Sequence, residues 1–322
     1  MSSHVISLLP SKQKVADKGR IVLLPLLGIL FFLAGWHLVA KNIETSLGTL
    51  PGPVQTYQQF HLLVVEHIEE REKATAFIAR QEKRNAAKLA KNPDAEVKIR
   101  PYTGKPTFFD QIGTSLVTVA AGFLLASLIA IPLGILLGLN RGLYQAFNPV
   151  IQLLKPVSPL AWLPIVTMVV SAVYVTPDPF FAKSFVNSLL TVALCSLWPT
   201  LINTAVGVTS VEKDLLNVSR VLQLSWGKHV TTIVLPSAIP MIFTGLRLSL
   251  GIAWMVLIAA EMLAQNPGLG KFVWDEFQNG SSASLGRIMV AVMTIGFIGL
   301  LLDRGMLYLQ KWLSWDKTQD LR

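Results

Sequence analysis

Charged residues are scarce in this chain, and their scarcity argues against a soluble enzyme. Asp, Glu, Lys and Arg make up 15% of the 322 residues, while apolar residues make up 52%. A soluble domain typically carries about 25% charge. Cysteine is scarcer still, because Cys195 is the single one. It forms no internal disulfide, and its apolar neighbours predict an unreactive, buried thiol.

Sequence motifs for catalysis and metal binding are also missing. The segment most like a phosphate-binding loop, Gly268–Lys271, has Gln265 in place of the first glycine and Phe272 after the lysine. His61 and His67 are six residues apart, which puts them on different faces of a helix and does not match the spacing of metal ligands. We therefore expect no catalytic residue, no metal site and no cofactor on this chain. If its work requires ATP, separate ATPase chains must hold the ATP and Mg.

Long apolar stretches, by contrast, are abundant. A bilayer core about 30 Å thick needs roughly 20 mostly apolar residues per helix. Six stretches meet this requirement: Ile21–Ala40, Leu116–Leu139, Pro149–Val173, Ser184–Val206, Ile239–Leu263 and Ile288–Leu309. The predicted fold class is an all-α integral membrane protein with about six transmembrane helices. The first stretch is about twice as long as the core of a signal peptide, so we interpret it as an uncleaved anchor.

The basic residues indicate how the chain crosses the membrane. The formal net charge is +9. With both termini inside, the cytoplasmic segments hold eleven Lys and Arg residues, and the short outer loops hold only Lys183, Lys271 and Arg287. Cytoplasmic loops are enriched in Lys and Arg, so we predict a multi-pass membrane protein with both termini cytoplasmic. The basic excess therefore indicates topology among membrane lipids rather than nucleic-acid binding.

The spans divide the chain into five segments: a cytoplasmic tail 1–20, a first transmembrane helix 21–40, a periplasmic segment 41–109, a five-helix core 110–310 with a cytoplasmic loop 208–236, and a cytoplasmic tail 311–322. The periplasmic segment contains no Gly or Pro over 56–92, and apolar residues recur there near helical spacing. This pattern predicts one long helix or a helical hairpin. Its mixed charges fit either a solvated insertion or a docking surface for an external partner.

A polar stretch between the fourth and fifth spans, Val208–Thr232, is too long for a simple turn. Ser210 is a candidate helix N-cap, and acidic residues follow in the first turn. Apolar residues fall on one face of this predicted helix. They are Val211, Leu215, Val218 and Leu222. An amphipathic helix outside the membrane must put such a face against something, so we expect a contact there.

The end of this stretch resembles the cytoplasmic loop of ABC importer permeases. That loop reads Glu-Ala-Ala, three residues, Gly, nine residues, Ile-x-Leu-Pro. This sequence has the same spacing, with Asn217-Val218-Ser219, Gln223 and Ile233-Val234-Leu235-Pro236, although Asn217 and Gln223 depart from the pattern. Further segments look like the nitrate and nitrite permeases, within the branch that also handles sulfonates, cyanate and bicarbonate. They are Lys155–Ile165, Leu194–Gly207, Thr244–Trp254 and Ala259–Leu263.

The resemblance implies a type I ABC importer permease of the bacterial inner membrane that forms a homodimer, docks two ATPase subunits and receives nitrate or nitrite from a periplasmic solute-binding protein. In that family the loop forms a coupling helix, which fits a groove on the ATPase. The residues that match this role are Val211, Glu212, Asp214, Leu215, Asn217, Val218, Ser219, Arg220, Leu222 and Gln223. Taurine or another sulfonate, cyanate and bicarbonate are alternative substrates. A secondary transporter or channel acting alone and a structural membrane subunit are alternative functions.

Ionisable residues inside the spans are candidates for a translocation path, since a charge in a membrane normally faces a partner or a cavity. Arg247 and Asp303 fall at similar depths, which predicts an ion pair between the last two spans. The predicted path residues are Ser158, Trp162, Arg247, Gly251, Trp254 and Glu261. The last four share one stripe of the fifth helix, and the first two lie where prolines kink the third span. Ordinary helix packing is the alternative, and a hydrogen-bonded interface suits Glu261 better than anion binding.

Overall fold

Helices form almost all of the regular structure. The computed structural model describes residues 12–45, 48–92, 96–176, 179–281 and 283–313, so parts of the predicted tails 1–20 and 311–322 lie outside the described residues. In chain order the elements are α1 (Lys12–Asn42), β1 (Glu44–Thr45), β2 (Gly48–Thr49), α2 (Pro53–Lys91), α3 (Phe108–Leu139), α4 (Arg141–Leu154), α5 (Pro159–Val173), α6 (Lys183–Thr209), α7 (Lys213–Val221), α8 (Trp226–His229), a π-helical turn (Val230–Val234), α9 (Leu235–Ala264), α10 (Leu269–Asn279) and α11 (Ser284–Leu313). Strands β1 and β2 pair antiparallel.

The apolar helices confirm the predicted all-α membrane fold with about six spans. Five helical runs are long and apolar enough to cross a membrane: α1, α3, α6, the run from α8 through α9, and α11. Helices α4 and α5 reach this length only as a pair, and they meet at an angle of 100°. The expected third span, Pro149–Val173, is therefore not a single kinked helix but two helices with a sharp break.

Proline explains the break between α4 and α5. Pro156 lies between the two helices, and Pro159 is the first residue of α5. Because proline has no N–H and its ring clashes with the preceding turn, a helix does not continue through this segment. Proline is favourable at the first position of a helix, however. Ser158 completes this start, since its Oγ accepts a hydrogen bond from the Leu160 N–H at 3.2 Å.

Helix α6 lies between α3 and α9 and forms the centre of the bundle. The contacts are close because glycines face it from both sides. A Cβ atom at Gly134 of α3 would lie only 2.6 Å from the Thr204 Cβ. A Cβ atom at Gly245 of α9 would lie 2.9 Å from the Asn203 Cβ. Small residues of this kind let helix backbones approach closely in a membrane, where packing drives association.

Helix α2 is one uninterrupted helix of 39 residues, so the segment 56–92 does not fold as a hairpin. Its first half packs against the ends of α3 and α11. Arg287 at the start of α11 donates hydrogen bonds to Glu66 of α2 at 3.0 Å and to Glu276 of α10 at 3.1 Å. Arg71 of α2 pairs with Asp110 in the first turn of α3. These ion pairs fix the direction of α2 relative to the bundle.

The helix of the polar stretch begins later than the sequence predicts. The Ser210 hydroxyl does not cap it, because it donates to the carbonyl oxygens of Val206 and Gly207 at 2.9 and 3.0 Å and so closes the end of α6. Helix α7 begins at Lys213. After α7 the chain enters α9 through α8 and the π-helical turn. Such turns are rare and are frequently found at functional sites.

Candidate functional site

A cavity of about 240 Å³ opens between α9 and α11. Its lining residues are Arg247, Leu250, Gly251 and Trp254 of α9 and Gly299, Leu302 and Asp303 of α11. Three of the predicted path residues, Arg247, Gly251 and Trp254, therefore come together here. The indole of Trp254 is held in one orientation, because its Nε1 donates a hydrogen bond to the Ile295 carbonyl oxygen at 2.9 Å.

An ion pair forms part of the cavity wall. Arg247 Nε lies 2.5 Å from Asp303 Oδ1, and Arg247 Nη2 lies 3.0 Å from Asp303 Oδ2. The structure thus brings together the two residues that the sequence predicts to pair. This bidentate geometry fixes the plane of the guanidinium group. A guanidinium group has five N–H donors and Asp303 accepts from two of its nitrogens, so further donors remain for a small anion in the cavity.

Glu261 lies in a different place. It is fully buried, and it follows Arg247 along α9 by roughly 21 Å at 1.5 Å per residue. Its carboxylate accepts hydrogen bonds from Ser115 Oγ at 2.9 and 2.8 Å and from the Gly270 N–H at 3.0 Å. Glu261 thus takes part in a hydrogen-bonded interface and does not line the cavity, and a place for it on the path stays a prediction. The residue joins α3, α9 and α10.

The loop between α9 and α10 fits closely around this carboxylate. A Cβ atom at Gly268 would lie 2.1 Å from Glu261 Oε1, and a Cβ atom at Gly270 would lie 2.1 Å from a carbonyl oxygen of α9. The Leu269 N–H also donates to Ser115 Oγ at 2.8 Å. Sequence reasoning missed the role of Ser115 and of these glycines. The available signal was a pair of glycines that closely follows an acidic residue in a span.

Ser158 is the N-cap of α5 and Trp162 lies in its first turn. Neither residue lines the cavity between α9 and α11. Ser158 is exposed and caps α5. Trp162 is partly buried, and its indole Nε1 has no hydrogen-bond partner in the part of the chain that the structure describes. A place for these two residues on a translocation path stays a prediction.

The polar stretch presents apolar side chains on the surface of the molecule. Of the four residues predicted to form one apolar face, Val211 is buried, while the other three are exposed. Sequence reasoning missed two further exposed residues, Val221 at 82% exposure and Trp226 at 64%; their apolar side chains in a polar loop were the available signal. We call this region the coupling surface, which consists of Leu215, Val218, Val221, Leu222 and Trp226.

Most polar residues predicted for the coupling role are also exposed. They are Glu212, Asp214, Asn217, Arg220 and Gln223. Ser219 differs, because it is buried and its Oγ lies 2.7 Å from His229 Nδ1, within hydrogen-bond distance. This contact joins α7 to α8, immediately before the π-helical turn. The coupling surface is therefore connected to the start of α9.

The backbone at Gln223 explains why the related loops have glycine at this position. Gln223 follows the last turn of α7 and has a φ of 45°. A side chain disfavours this left-handed conformation, whereas glycine adopts it readily. A glycine would therefore suit the turn that the backbone makes after α7.

The cavity and the coupling surface both lie in a region that is shared with known proteins. The sequence profile of the family described as binding-protein-dependent transport system inner membrane component matches residues 130–315. The chain belongs to this family. It is thus a permease subunit of an ABC importer, a multi-pass membrane protein of a system that also contains ATPase and binding-protein components. The profile begins within α3, so α1 and α2 lie outside the matched region.

Relatives of this permease have similar sequences and different named substrates. It is 35% identical to the bicarbonate transport system permease protein CmpB of Synechococcus elongatus, over 91% of this chain and 89% of that protein. It is 40% identical to the nitrate import permease protein NrtB of Synechocystis sp., over 62% of this chain and 68% of that protein. A chain of the inward-facing MetNI methionine ABC transporter shares the fold, with a TM-score of 0.53 and 14% identity over 64% of this chain and 95% of that chain.

Proposed function

We propose that this permease imports a small oxyanion, with nitrate or nitrite as the first choice and bicarbonate as the main alternative. Relatives named for nitrate import and for bicarbonate transport support this class of substrate. The cavity supports it too, since Arg247 provides N–H donors beyond those that bind Asp303. Taurine or another sulfonate and cyanate remain alternative substrates of the same kind of permease.

One observation carries the proposal that ATPase chains drive transport, and it is the exposure of the coupling surface. Five large apolar side chains are exposed there, on α7, in the turn after it and at the start of α8. Contiguous exposed apolar patches mark sites of interaction with other proteins. In our proposal two permease copies form a homodimer, each copy docks one ATPase subunit on the segment Val211–Gln223, and the ATPase subunits bind ATP and Mg. Both termini and the coupling surface then lie in the cytoplasm.

Helix α9 provides a route from the coupling surface to the cavity. Its start follows the π-helical turn, next to the contact between Ser219 and His229. Further along the same helix, Arg247, Gly251 and Trp254 line the cavity. A movement of α7 on ATPase closure would therefore shift one wall of the cavity against α11. Such a link between the ATPase site and the cavity favours alternating access driven by ATP over transport by a chain acting alone.

Uptake by the complete complex tests the proposal. The permease is reconstituted in lipid vesicles with its ATPase subunits and its solute-binding protein, and uptake of nitrate, nitrite, bicarbonate, cyanate and taurine is measured. We expect uptake of one small oxyanion that requires ATP and the binding protein. Complexes with a hydrolysis-deficient ATPase are the control. Uptake that follows an ion gradient without ATP would contradict the proposal and favour a secondary transporter, and no uptake by the complete system would favour a structural subunit.

A further inference from the structure

The two halves of α2 differ in how their charges are used. In the first half, carboxylates bind the rest of the molecule, because Glu66 pairs with Arg287 and Glu70 accepts a 2.7 Å hydrogen bond from the Tyr102 hydroxyl. That hydrogen bond lowers the pKa of the Glu70 carboxyl. The second half is predominantly basic. We call it the basic arm, which consists of α2 from Glu72 to Lys91 and the returning segment 96–106.

The returning segment is held firmly against α2. Gln81 is buried, and its side chain exchanges two hydrogen bonds with the backbone of Arg100, at 2.9 and 3.0 Å. The rings of Phe77 and Tyr102 pack with their centroids 5.5 Å apart. The two hydrogen bonds use the backbone of Arg100 and do not involve its guanidinium group. The returning segment is therefore fixed beside the second half of α2.

Three arginines converge on this surface. Residues 72–106 contain nine Lys and Arg residues and four Asp and Glu residues. A cavity of about 350 Å³ is lined by Phe77, Arg80, Gln81, Arg84 and Arg100. Arg80 Nε donates only to the carbonyl oxygen one turn earlier on its own helix. In the described part of the chain, no carboxylate pairs with Arg80, Arg84 or Arg100.

We propose that the basic arm is a docking surface for acidic side chains of the solute-binding protein, with Arg80, Arg84 and Arg100 binding its carboxylates. This inference rests on the proposed function, which puts α2 on the side of the membrane opposite the coupling surface. Planar guanidinium groups suit bidentate binding of carboxylates. Charge complementarity of this kind mainly accelerates association and orients the partner.

A lipid surface is a poorer match to the basic arm. Helices that lie in a membrane interface bury a continuous face of large apolar residues. The exposed large apolar residues of the arm are few and scattered: Ile78 and Leu89 are eleven residues apart on α2, and Val97 and Ile99 lie in the non-helical returning segment. The Phe77 ring instead packs against Tyr102. The surface therefore offers charge without the apolar face that insertion requires.

Charge reversal on the assembled complex tests this surface. The permease–ATPase complex is placed in nanodiscs, and the association rate of the solute-binding protein encoded beside this permease is measured at low and at physiological ionic strength. We expect the triple change Arg80→Glu, Arg84→Glu and Arg100→Glu to lower the association rate by about tenfold or more at low salt and to weaken its salt dependence. The single variant Arg84→Glu is expected to have a smaller effect of the same sign.

Lys183→Glu is the matched control for Arg84→Glu, because it makes the same charge change at an exposed residue outside the basic arm. It should leave the association rate within about twofold of the wild-type value. An unchanged association rate for the triple variant would overturn the proposal. A defect seen only in nanodiscs of anionic lipid, and absent in neutral lipid, would also overturn it in favour of lipid contact.

The wild-type complex distinguishes a failure of the proposed function from a failure of the docking surface. If the binding protein does not stimulate its ATPase activity, the proposed function fails; if it does and the triple variant binds normally, only the docking surface fails.

Discussion

Arg247, Asp303 and Glu261 are charged residues in the spans that have specific partners, as the cost of charge in a membrane leads one to expect. Arg247 is bound by Asp303 across the boundary between α9 and α11, and Glu261 is bound by Ser115 and the Gly270 N–H. The first pair borders a cavity, whereas Glu261 is fully buried in a packed interface. At the residue scale, the surroundings of a charge therefore decide between a transport role and a structural role.

Filling the cavity tests its place on the translocation path. A Cβ atom at Gly251 would meet no atom within 4 Å, so Gly251→Leu is expected to fold and to occupy the cavity with its side chain. We expect ATP-dependent uptake in vesicles to fall by at least about tenfold, because a leucine side chain that fills the cavity excludes the solute by steric overlap. Gly296→Leu on α11 is the control, since that position is also open and does not line the cavity. Equal uptake by the two variants would remove the cavity from the path.

Replacing Gln223 by glycine should stabilise the coupling segment. The left-handed backbone at this residue costs a side chain about 1 kcal/mol relative to glycine. Part of this gain is offset, because glycine has more conformational freedom in the unfolded chain. We expect Gln223→Gly to raise the apparent unfolding temperature in detergent slightly, and Gln223→Ala, which keeps a Cβ atom, not to raise it. A gain in both variants would mean that the backbone at this position is not strained.

At the scale of helices, two glycines of α3 have different surroundings. Gly134 faces α6, where a Cβ atom would lie 2.6 Å from Thr204 and 2.8 Å from the Leu201 carbonyl oxygen. Gly113, on the same helix, is exposed and meets no atom within 4 Å. Sequence periodicity finds both glycines in or beside a span, but it does not tell which of them touches a neighbour.

Alanine at the two positions should therefore have effects of opposite sign. Gly134→Ala forces α3 away from α6 and is expected to lower the free energy of unfolding by about 1–3 kcal/mol. Gly113→Ala adds helix propensity without a clash and is expected to raise it by up to about 1 kcal/mol. Unfolding of both variants in detergent, followed by circular dichroism, gives the measurement. Destabilisation of the same size at both sites would show that contact with α6 is not the cause.

The coupling surface makes a second prediction at this scale. Val221 is 82% exposed, so Val221→Asp should leave the fold of the permease intact. A charge in an apolar interface has to be desolvated without a partner, so we expect the ATPase subunits to co-purify with this variant poorly. The matched control is Val54→Asp on α2, which places the same charge at another exposed valine. Normal recovery of the ATPase subunits with Val221→Asp would rule out this docking site.

At the scale of the whole molecule, α9 separates two surfaces of different character. Helix α7 and the coupling surface lie before its start, and Glu261, α10 and the attached first half of α2 lie at its other end. A helix of 30 residues spans roughly 45 Å, which is enough to cross a bilayer. We therefore expect the two surfaces to lie on opposite sides of the membrane.

Cysteine labelling determines which side of the membrane each surface faces. Cys195 is the only cysteine, so a Cys195→Ala chain provides a background to which one cysteine is added at a time. With both termini cytoplasmic, a maleimide that does not cross membranes should label Glu82→Cys in intact spheroplasts, and Lys213→Cys only after lysis. Both positions are exposed, which makes the comparison a matched one. The reverse labelling pattern would contradict the predicted orientation and the docking surface together.

Much of the architecture was predictable from local patterns. Apolar runs gave the number of spans, the matched depths of Arg247 and Asp303 gave their pairing, and the spacing from Asn217 to Pro236 gave the family. The start of α7 was not predictable in this way. Ser210 has the chemistry of an N-cap, but its hydroxyl is used by the end of α6, and two helix ends that compete for one residue cannot be distinguished by pattern.

The sequence by itself determined that this chain is a helical membrane protein, because hydropathy acts locally, and the resemblance of its cytoplasmic loop indicated the ABC permease family. Tertiary structure alone decided which residues of one helical stripe share a surface. Arg247, Gly251 and Trp254 line a cavity with α11, whereas Glu261 closes a junction with Ser115 and Gly270. The physical reason is that a stripe on a long helix meets different neighbours at different depths, and those neighbours come from distant parts of the chain.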